Sequence, residues 1–264
     1  MQLLEIIKKL EGKSDHQRSE FIEQTLIRWG IPYEIHPYAT GRNILLPSGR
    51  PQWIGISSHF DVVKNSPGAN DNASAIAVCL DLIRRNQIKP LKSLGIGFFF
   101  FDEEERNLKG STAYVKQLGI NGMTGLINLE MVGQGDRLAL WSLTEKSKGR
   151  ILKTLESTAN AHNIFTRRFD RIVTNQADHM SFQKAGLVDA FTVTCISEKD
   201  IEVAWHYYKA QEFDVDQATL WEIITQAPLF KHYHQPSDLS EHLSEESLQM
   251  TSNIIWQTLL ALDK

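Results

Sequence analysis

Cysteine is nearly missing from this chain: 264 residues carry two, Cys79 and Cys195. Two cannot build a disulfide framework or a cysteine-rich zinc module. Cys79 falls on a helical face and Cys195 on a strand, both apolar, so each reads as a buried, inert thiol. Long hydrophobic runs are missing too. The longest apolar stretches, 94–101 and 187–196, fall well short of the roughly 18 residues of a membrane span, so no membrane partner is expected. No sign of charge dominates: 28 Lys and Arg stand against 32 Asp and Glu, a net of −4 spread along the chain. A nucleic-acid binder would usually carry a basic stripe, and nucleic acid is not an expected partner. No G-x-S-x-G occurs, which removes the nucleophile elbow of serine hydrolases. Residues 1–12 place Leu3, Leu4, Ile7 and Leu10 at helical spacing with charges between them. They lack the basic head, apolar middle and small-residue cleavage site of a signal peptide. With Met1 as the true start, a cytoplasmic location is expected.

What is present is an ordinary globular composition, 42% hydrophobic, in a chain long enough for a full core. A helix is expected over 15–29, with Phe21, Leu26 and Ile27 inward and Gly30-Ile31-Pro32 ending it. Short strands follow near 33–37 and 43–46. Three short apolar runs, 53–58, 94–101 and 126–129, alternate with helical patterns at 72–85, 111–118, 146–161, 217–226 and 244–262. Short apolar runs between helices indicate buried, largely parallel strands. No repeat, linker or low-complexity stretch interrupts the pattern. The expected architecture is α/β: one three-layer α/β/α domain over residues 1–264 around a mixed, largely parallel central sheet.

Each apolar run ends abruptly in ionisable residues: Ser58-His59-Phe60-Asp61, then Asp102-Glu103-Glu104-Glu105, then Asn128-Leu129-Glu130. In open α/β sheets, ligands bind outside the carboxyl ends of the strands. Parallel neighbours would therefore collect a histidine and several carboxylates in one crevice. So many acids repel one another unless a cation sits among them, and mixed His and carboxylate donors suit zinc or a similar divalent ion. Taken singly, each signal is weak. H-x-D is common, four acids in a row usually make a solvated loop, Asp71 before a helical run could be an N-cap, and Glu130 could be a surface acid. All of them falling together at strand and helix ends is the informative fact.

These residues resemble metallopeptidase family 28, the co-catalytic zinc aminopeptidases that include leucyl aminopeptidases and glutaminyl cyclase relatives. The matching blocks are His59-Phe60-Asp61, Gly68 to Ser74 (G-A-N-D-N-A-S), Glu104-Glu105 with Leu108-Lys109-Gly110-Ser111, Asn128 to Gly133 (N-L-E-M-V-G), Asp178-His179 with Phe182, and His234-Gln235-Pro236-Ser237-Asp238. They keep the family's order between residues 54 and 239, far more specific than any single motif. The resemblance implies the phosphorylase/hydrolase-like zinc exopeptidase fold and two zinc or other divalent ions per chain, bridged by Asp71. His59 and Glu130 would complete one site, Glu105 and His234 the other. Asp61 would accept a hydrogen bond from the far nitrogen of His59, and Glu104 would be the general base. Met131, Asp178, His179 and Phe182 would lie on the substrate side. The implied activity is hydrolysis of the first peptide bond of short peptides with a free N-terminus.

The acid run offers competing registers. The continuation x-x-L-x-G-S selects Glu104 and Glu105 and leaves Asp102 and Glu103 flanking. In His232-Tyr233-His234, the histidine two before Pro236 is His234, which makes His232 a surface or pocket residue. Three departures stand out: Glu130 where the family usually has Asp, Ala177 where Ser commonly precedes the D-H pair, and a long segment at 197–230 rich in aromatics (Trp205, Tyr207, Tyr208, Trp221). That segment reads as helices on the domain edge or as a lid. The rival functions are a cyclase-like aminoacyltransferase, a two-zinc carboxypeptidase or dipeptidase whose dimerisation domain this length has no room for, and a non-catalytic scaffold, although none of the five ligand positions is lost.

Overall fold

In the run Gly95–Phe101, alternate side chains go to opposite sides of the strand. Ile96, Phe98 and Phe100 join one core, while Phe99 and Phe101 join another. Both faces are covered, which is the condition for a parallel sheet. The computed structural model describes residues 2–171, 173–174 and 176–263. Its eight strands are β1 (Glu34–Pro37), β2 (Arg42–Leu46), β3 (Trp53–His59), β4 (Gly95–Phe101), β5 (Met123–Leu129), β6 (Arg137–Trp141), β7 (Thr166–Phe169) and β8 (Ala190–Ile196). They form one sheet in the order β1-β2-β4-β3-β5-β8-β6-β7. The central four, β4, β3, β5 and β8, are mutually parallel. β2 joins β4 antiparallel and β6 joins β8 antiparallel, so the sheet is mixed.

One face is covered by the helices Leu3–Leu10, Ala75–Ile88, Arg150–Ala161 and Glu245–Leu262, whose apolar residues share a core with Ile54, Ile56, Ile127 and Val193. The other face carries Lys109–Leu118 and His179–Lys184, with Tyr114 and Phe182 packed on Phe99 and Phe101. The result is a three-layer α/β arrangement. Segment 197–230 forms the helices Glu198–Gln211, Gln217–Ile224 and Pro228–Lys231. Val203, Ala204 and Tyr207 pack against Ala139 and Trp141 of β6 and Phe169 of β7. Buried Asp200 caps its own helix through Ser197 and accepts the backbone N–H of Leu229 at 2.8 Å.

The helix expected from residue 1 spans Leu3–Leu10, and Met1 lies outside the described residues. Asp15–Trp29 is held by a capping box between Ser14 and Gln17 and closed by Gly30 at φ +65. Ile27 is a correction: it is 64% exposed, because the inward stripe runs through Arg18, Ile22 and Leu26, one helical step of four apart. The helix expected at 72–85 begins instead at Ala75, after an irregular turn over Ala69–Ser74. β6 and β7 were not among the expected strands. Both cysteines are free and buried, and burial pushes each thiol up to about 12. Among the described residues, no helix is long and apolar enough to cross a membrane.

Candidate metal centre

The parallel strands β3, β4 and β5 end side by side, and their C-terminal residues meet. His59 is the last residue of β3, and Glu130 directly follows β5. Glu104 and Glu105 open a short 3-10 turn after β4. Asp71 comes from the irregular turn, and His234, at φ +59, from the loop after Pro228–Lys231. Asp71 stands between the two histidines: its Oδ1 lies 3.2 Å from His59 Nε2, and its Oδ2 lies 3.2 Å from His234 Nε2. His59 Nε2 also meets Glu130 Oε1 at 3.1 Å, and His234 Nε2 meets Glu105 Oε1 at 3.1 Å. Two triads, His59–Asp71–Glu130 and Asp71–Glu105–His234, thus share one carboxylate. Glu104 groups with His59 and Glu105.

The donor set fits zinc. Tetrahedral donors about 2.0–2.1 Å from a zinc ion lie about 3.3–3.4 Å from each other, close to the separations here. The second oxygen of Glu130 is buried with no hydrogen-bond partner, as a donor aimed at a cation would be. The extra methylene of Glu130 does not take its carboxylate out of reach of His59.

The ligand-type residues are held by a polar frame. Asp61 meets His59 Nδ1 at 3.2 Å, while its two oxygens accept the backbone N–H groups of Glu104 and Glu105, each at 3.0 Å. Buried Asp238 accepts the backbone N–H groups of Asn70 and Asp71, at 2.8 and 3.1 Å. Polar side chains of the turn fasten the segment after β5. Asn72 donates to Leu129 O and accepts from Met131 N, Ser74 accepts from Val132 N, and Asn70 accepts from Gly133 N. These side chains are committed to tertiary bonds, which is why residues 70–74 do not continue the regular helix. The frame residues Asn70, Asn72 and Asp238 were quoted in the sequence blocks without a role. For Asn70 and Asn72 the signal was an unusual density of Asn, Asp and Ser at a helix start, whereas Asp238, in the loop after His234, had none.

Burial pushes the Glu104 carboxyl well above its ordinary range, with the charges of Glu130, Asp178 and Glu105 adding to it. Burial likewise raises Glu105, to about 7. Burial works against charge on His234, but hydrogen bonds to Asp71 and Glu105 outweigh it and raise the ring to about 10. Glu103 faces away from this group, bonded to Thr40, Arg106 and Lys109.

The residues expected on the substrate side divide. Met131 lines a small cavity with Asp71 and Tyr233. Asp178 is fully buried, both its oxygens lack hydrogen-bond partners, and burial raises it to about 7. Phe182 and His179 are both buried. Phe182 has no exposed surface and sits among Phe99, Phe101 and Tyr114, because the His179–Lys184 helix packs flat on the sheet. His179 is buried with Nδ1 at 2.7 Å from Thr192 Oγ1. Tyr233, unassigned from sequence, stacks on the His234 ring at 3.7 Å, and the charges of Asp71, Glu105, Glu104 and Glu130 all bear on its phenol. His232 is half-buried, bonded to Ser237 and stacked on His242. A larger groove of about 760 Å³ lies between β7 and the Glu198–Gln211 helix, lined by none of these acids.

A parallel-centred α/β sheet with two His–carboxylate triads gathered at one end is the framework of an α/β protein with a candidate metal centre. The profile of Peptidase family M28 matches residues 44–259, and the chain belongs to that family. Aminopeptidase YwaD of Bacillus subtilis is 28% identical over 217 residues, covering 78% of this chain and 40% of that protein. The chain therefore spans less than half the length of this relative. The structure of BSAP, a zinc aminopeptidase from Bacillus subtilis, superposes with a TM-score of 0.63 at 23% identity, over 84% of this chain and 50% of that one. Glutaminyl cyclase from Porphyromonas gingivalis superposes with a TM-score of 0.75 at 16% identity, over 99% and 97% of the two chains. Both likenesses establish the fold.

Proposed function

We propose that this protein is a zinc-dependent aminopeptidase that removes the first residue of short peptides bearing a free amino terminus. The observation that carries the reading is Asp71, which turns one oxygen to the His59–Glu130 pair and the other to the His234–Glu105 pair. In this reading residues 1–264 work as one exopeptidase domain, in which His59, Asp71 and Glu130 would hold one ion and Asp71, Glu105 and His234 would hold a second. When bound, such ions polarise the scissile carbonyl and lower the pKa of a water.

The chain's own groups do the rest. Glu104, grouped with His59 and Glu105, takes a proton from the attacking water on its carboxylate and delivers it to the leaving amine. Asp61 holds His59 by its Nδ1, so that Nε2 is the nitrogen presented to Asp71 and Glu130. A substrate's free amine is received by the carboxylate-lined end of the site, and Met131 gives its first side chain an apolar neighbour. Such contacts discriminate by only about 1–3 kcal/mol per methylene, so selectivity among apolar residues should be modest.

Metal analysis of the purified protein should find up to two zinc ions per chain. Full metal content in an Asp71→Ala variant would remove the shared-carboxylate assignment. The protein should release Leu from Leu-peptides and not from acetyl-Leu-peptides. A second reading, cyclisation of N-terminal Gln, is favoured by one feature: the glutaminyl cyclase chain is coextensive with this one, whereas only 50% of the BSAP chain is matched. Ammonia released from a Gln-peptide without bond cleavage would establish that reading instead.

A further inference from the structure

Among the described residues, one Arg or Lys is buried, and it reaches the backbone of Pro67 and Gly68, just ahead of the turn that carries Asp71. Arg18 has no exposed surface. It is placed there by the helix Asp15–Trp29, whose inward stripe it shares with Ile22 and Leu26. That helix precedes the residues matched by the family profile, which begin at 44. One guanidinium nitrogen, Nη2, donates to the carbonyls of Pro67 and Gly68, at 2.7 and 2.8 Å. Gly68 leaves the space for it, since a Cβ there would lie 2.4 Å from Nη2. The other two nitrogens, Nε and Nη1, are buried without hydrogen-bond partners.

A guanidinium so poorly hydrogen-bonded is costly to bury. No carboxylate among the described residues lies within ion-pair distance of it, so the compensation is the longer-range field of four that bear on it, those of Asp71, Asp15, Asp238 and Asp61. Asp71 lies between the triads, Asp238 fixes the backbone of Asp71, and Asp61 holds His59 and the Glu104–Glu105 turn. We infer that Arg18 is the built-in counter-charge of the metal centre, a positioning residue that keeps its carboxylates assembled when no ion is bound. This inference rests on the site holding a divalent cation.

The sign of the effect separates this role from packing. A fixed positive charge supports the acids in the ion-free protein and repels an incoming cation. Replacing Arg18 with Met keeps the bulk and removes the charge. The ion-free variant should therefore be less stable than wild type, yet bind zinc more tightly, by about tenfold or more. Its zinc-induced rise in melting temperature should exceed that of wild type by about 3 °C or more. Arg18→Lys retains the charge and should respond to zinc as wild type does.

The experiment takes wild type, Arg18→Met and Arg18→Lys through chelation. It then measures melting temperature with and without zinc, and zinc affinity by competition with an indicator. An equal zinc response in wild type and Arg18→Met would reduce Arg18 to packing, and a weaker one would make it only a clamp on residues 67–68. Either result overturns the inference. If Arg18→Met does not fold, Arg18→Lys decides: a zinc response unlike wild type overturns it. A wild type that shows no response to zinc would instead remove the metal site itself, a distinct failure.

Discussion

Asp61 turns back on His59, two residues before it, and meets the ring Nδ1 at 3.2 Å while both its oxygens also hold the backbone of the acid turn after β4. One carboxylate thus sets the orientation of a histidine and the position of two glutamates. Asp61→Asn keeps one acceptor oxygen and loses the charge, so it should weaken zinc binding by about 10–100-fold. Competition against a chelating indicator measures it. Unchanged affinity with lowered turnover would place Asp61 in the chemistry and not in the support of His59.

Glu104→Gln keeps size and removes proton acceptance. Metal content should stay, while turnover falls by about two to four orders of magnitude. Glu103→Gln should leave turnover within a few-fold, since Glu103 is bonded to Thr40, Arg106 and Lys109 on the other side of the turn. A dead Glu103 variant beside an active Glu104 variant would shift the acid register by one.

Phe182 tests core against substrate contact. It is fully buried among three aromatic rings, so Phe182→Ala should cost about 3–5 kcal/mol of stability. Phe182→Leu should leave the KM for Leu-peptides unchanged. A selective KM change in the folded Leu variant would return Phe182 to the substrate side.

His179 gives a pH signature. Burial lowers its pKa to about 3, below its ordinary value of 6.5. The unfolded chain therefore binds the extra proton between those values. The contribution of His179 is fully present above about pH 6.5 and is lost as pH falls toward 3, by up to about 1.4 kcal/mol per pH unit. Denaturant unfolding of wild type and His179→Gln across pH 4.5–7.5 should show a flatter profile for the variant. Parallel profiles would mean that the ring is already protonated in the fold.

The sheet centre was legible because parallel strands buried on both faces leave continuous apolar runs, and Trp53–His59 and Gly95–Phe101 have them. β6 and β7 were not. R-L-A-L-W and T-R-R-F are short and carry arginines, and their partners, β8 and the aromatic helices of 197–230, lie far along the chain. His59, Glu104, Glu105 and Glu130 could be read from strand ends, Asp71 from a helix start and His234 only from the resemblance, and of their support only Asp61 was expected. Arg18, Asn72 and Asp238 act on backbone groups brought near only by folding. Ile27 and Phe182 show the same limit from the apolar side: spacing says that a residue can face inward, not which surface will receive it.

The hydrogen bond from Leu229 to Asp200 gives segment 197–230 a meaning that neither edge decoration nor lid captures. Pro228–Lys231 leads directly into Tyr233 and His234, so these helices are the mooring for an arm that ends in the His234 ring. Trimming them would not simply widen the mouth of the cleft. It would cast loose a histidine. Changes made anywhere in this segment are therefore transmitted to the position of His234.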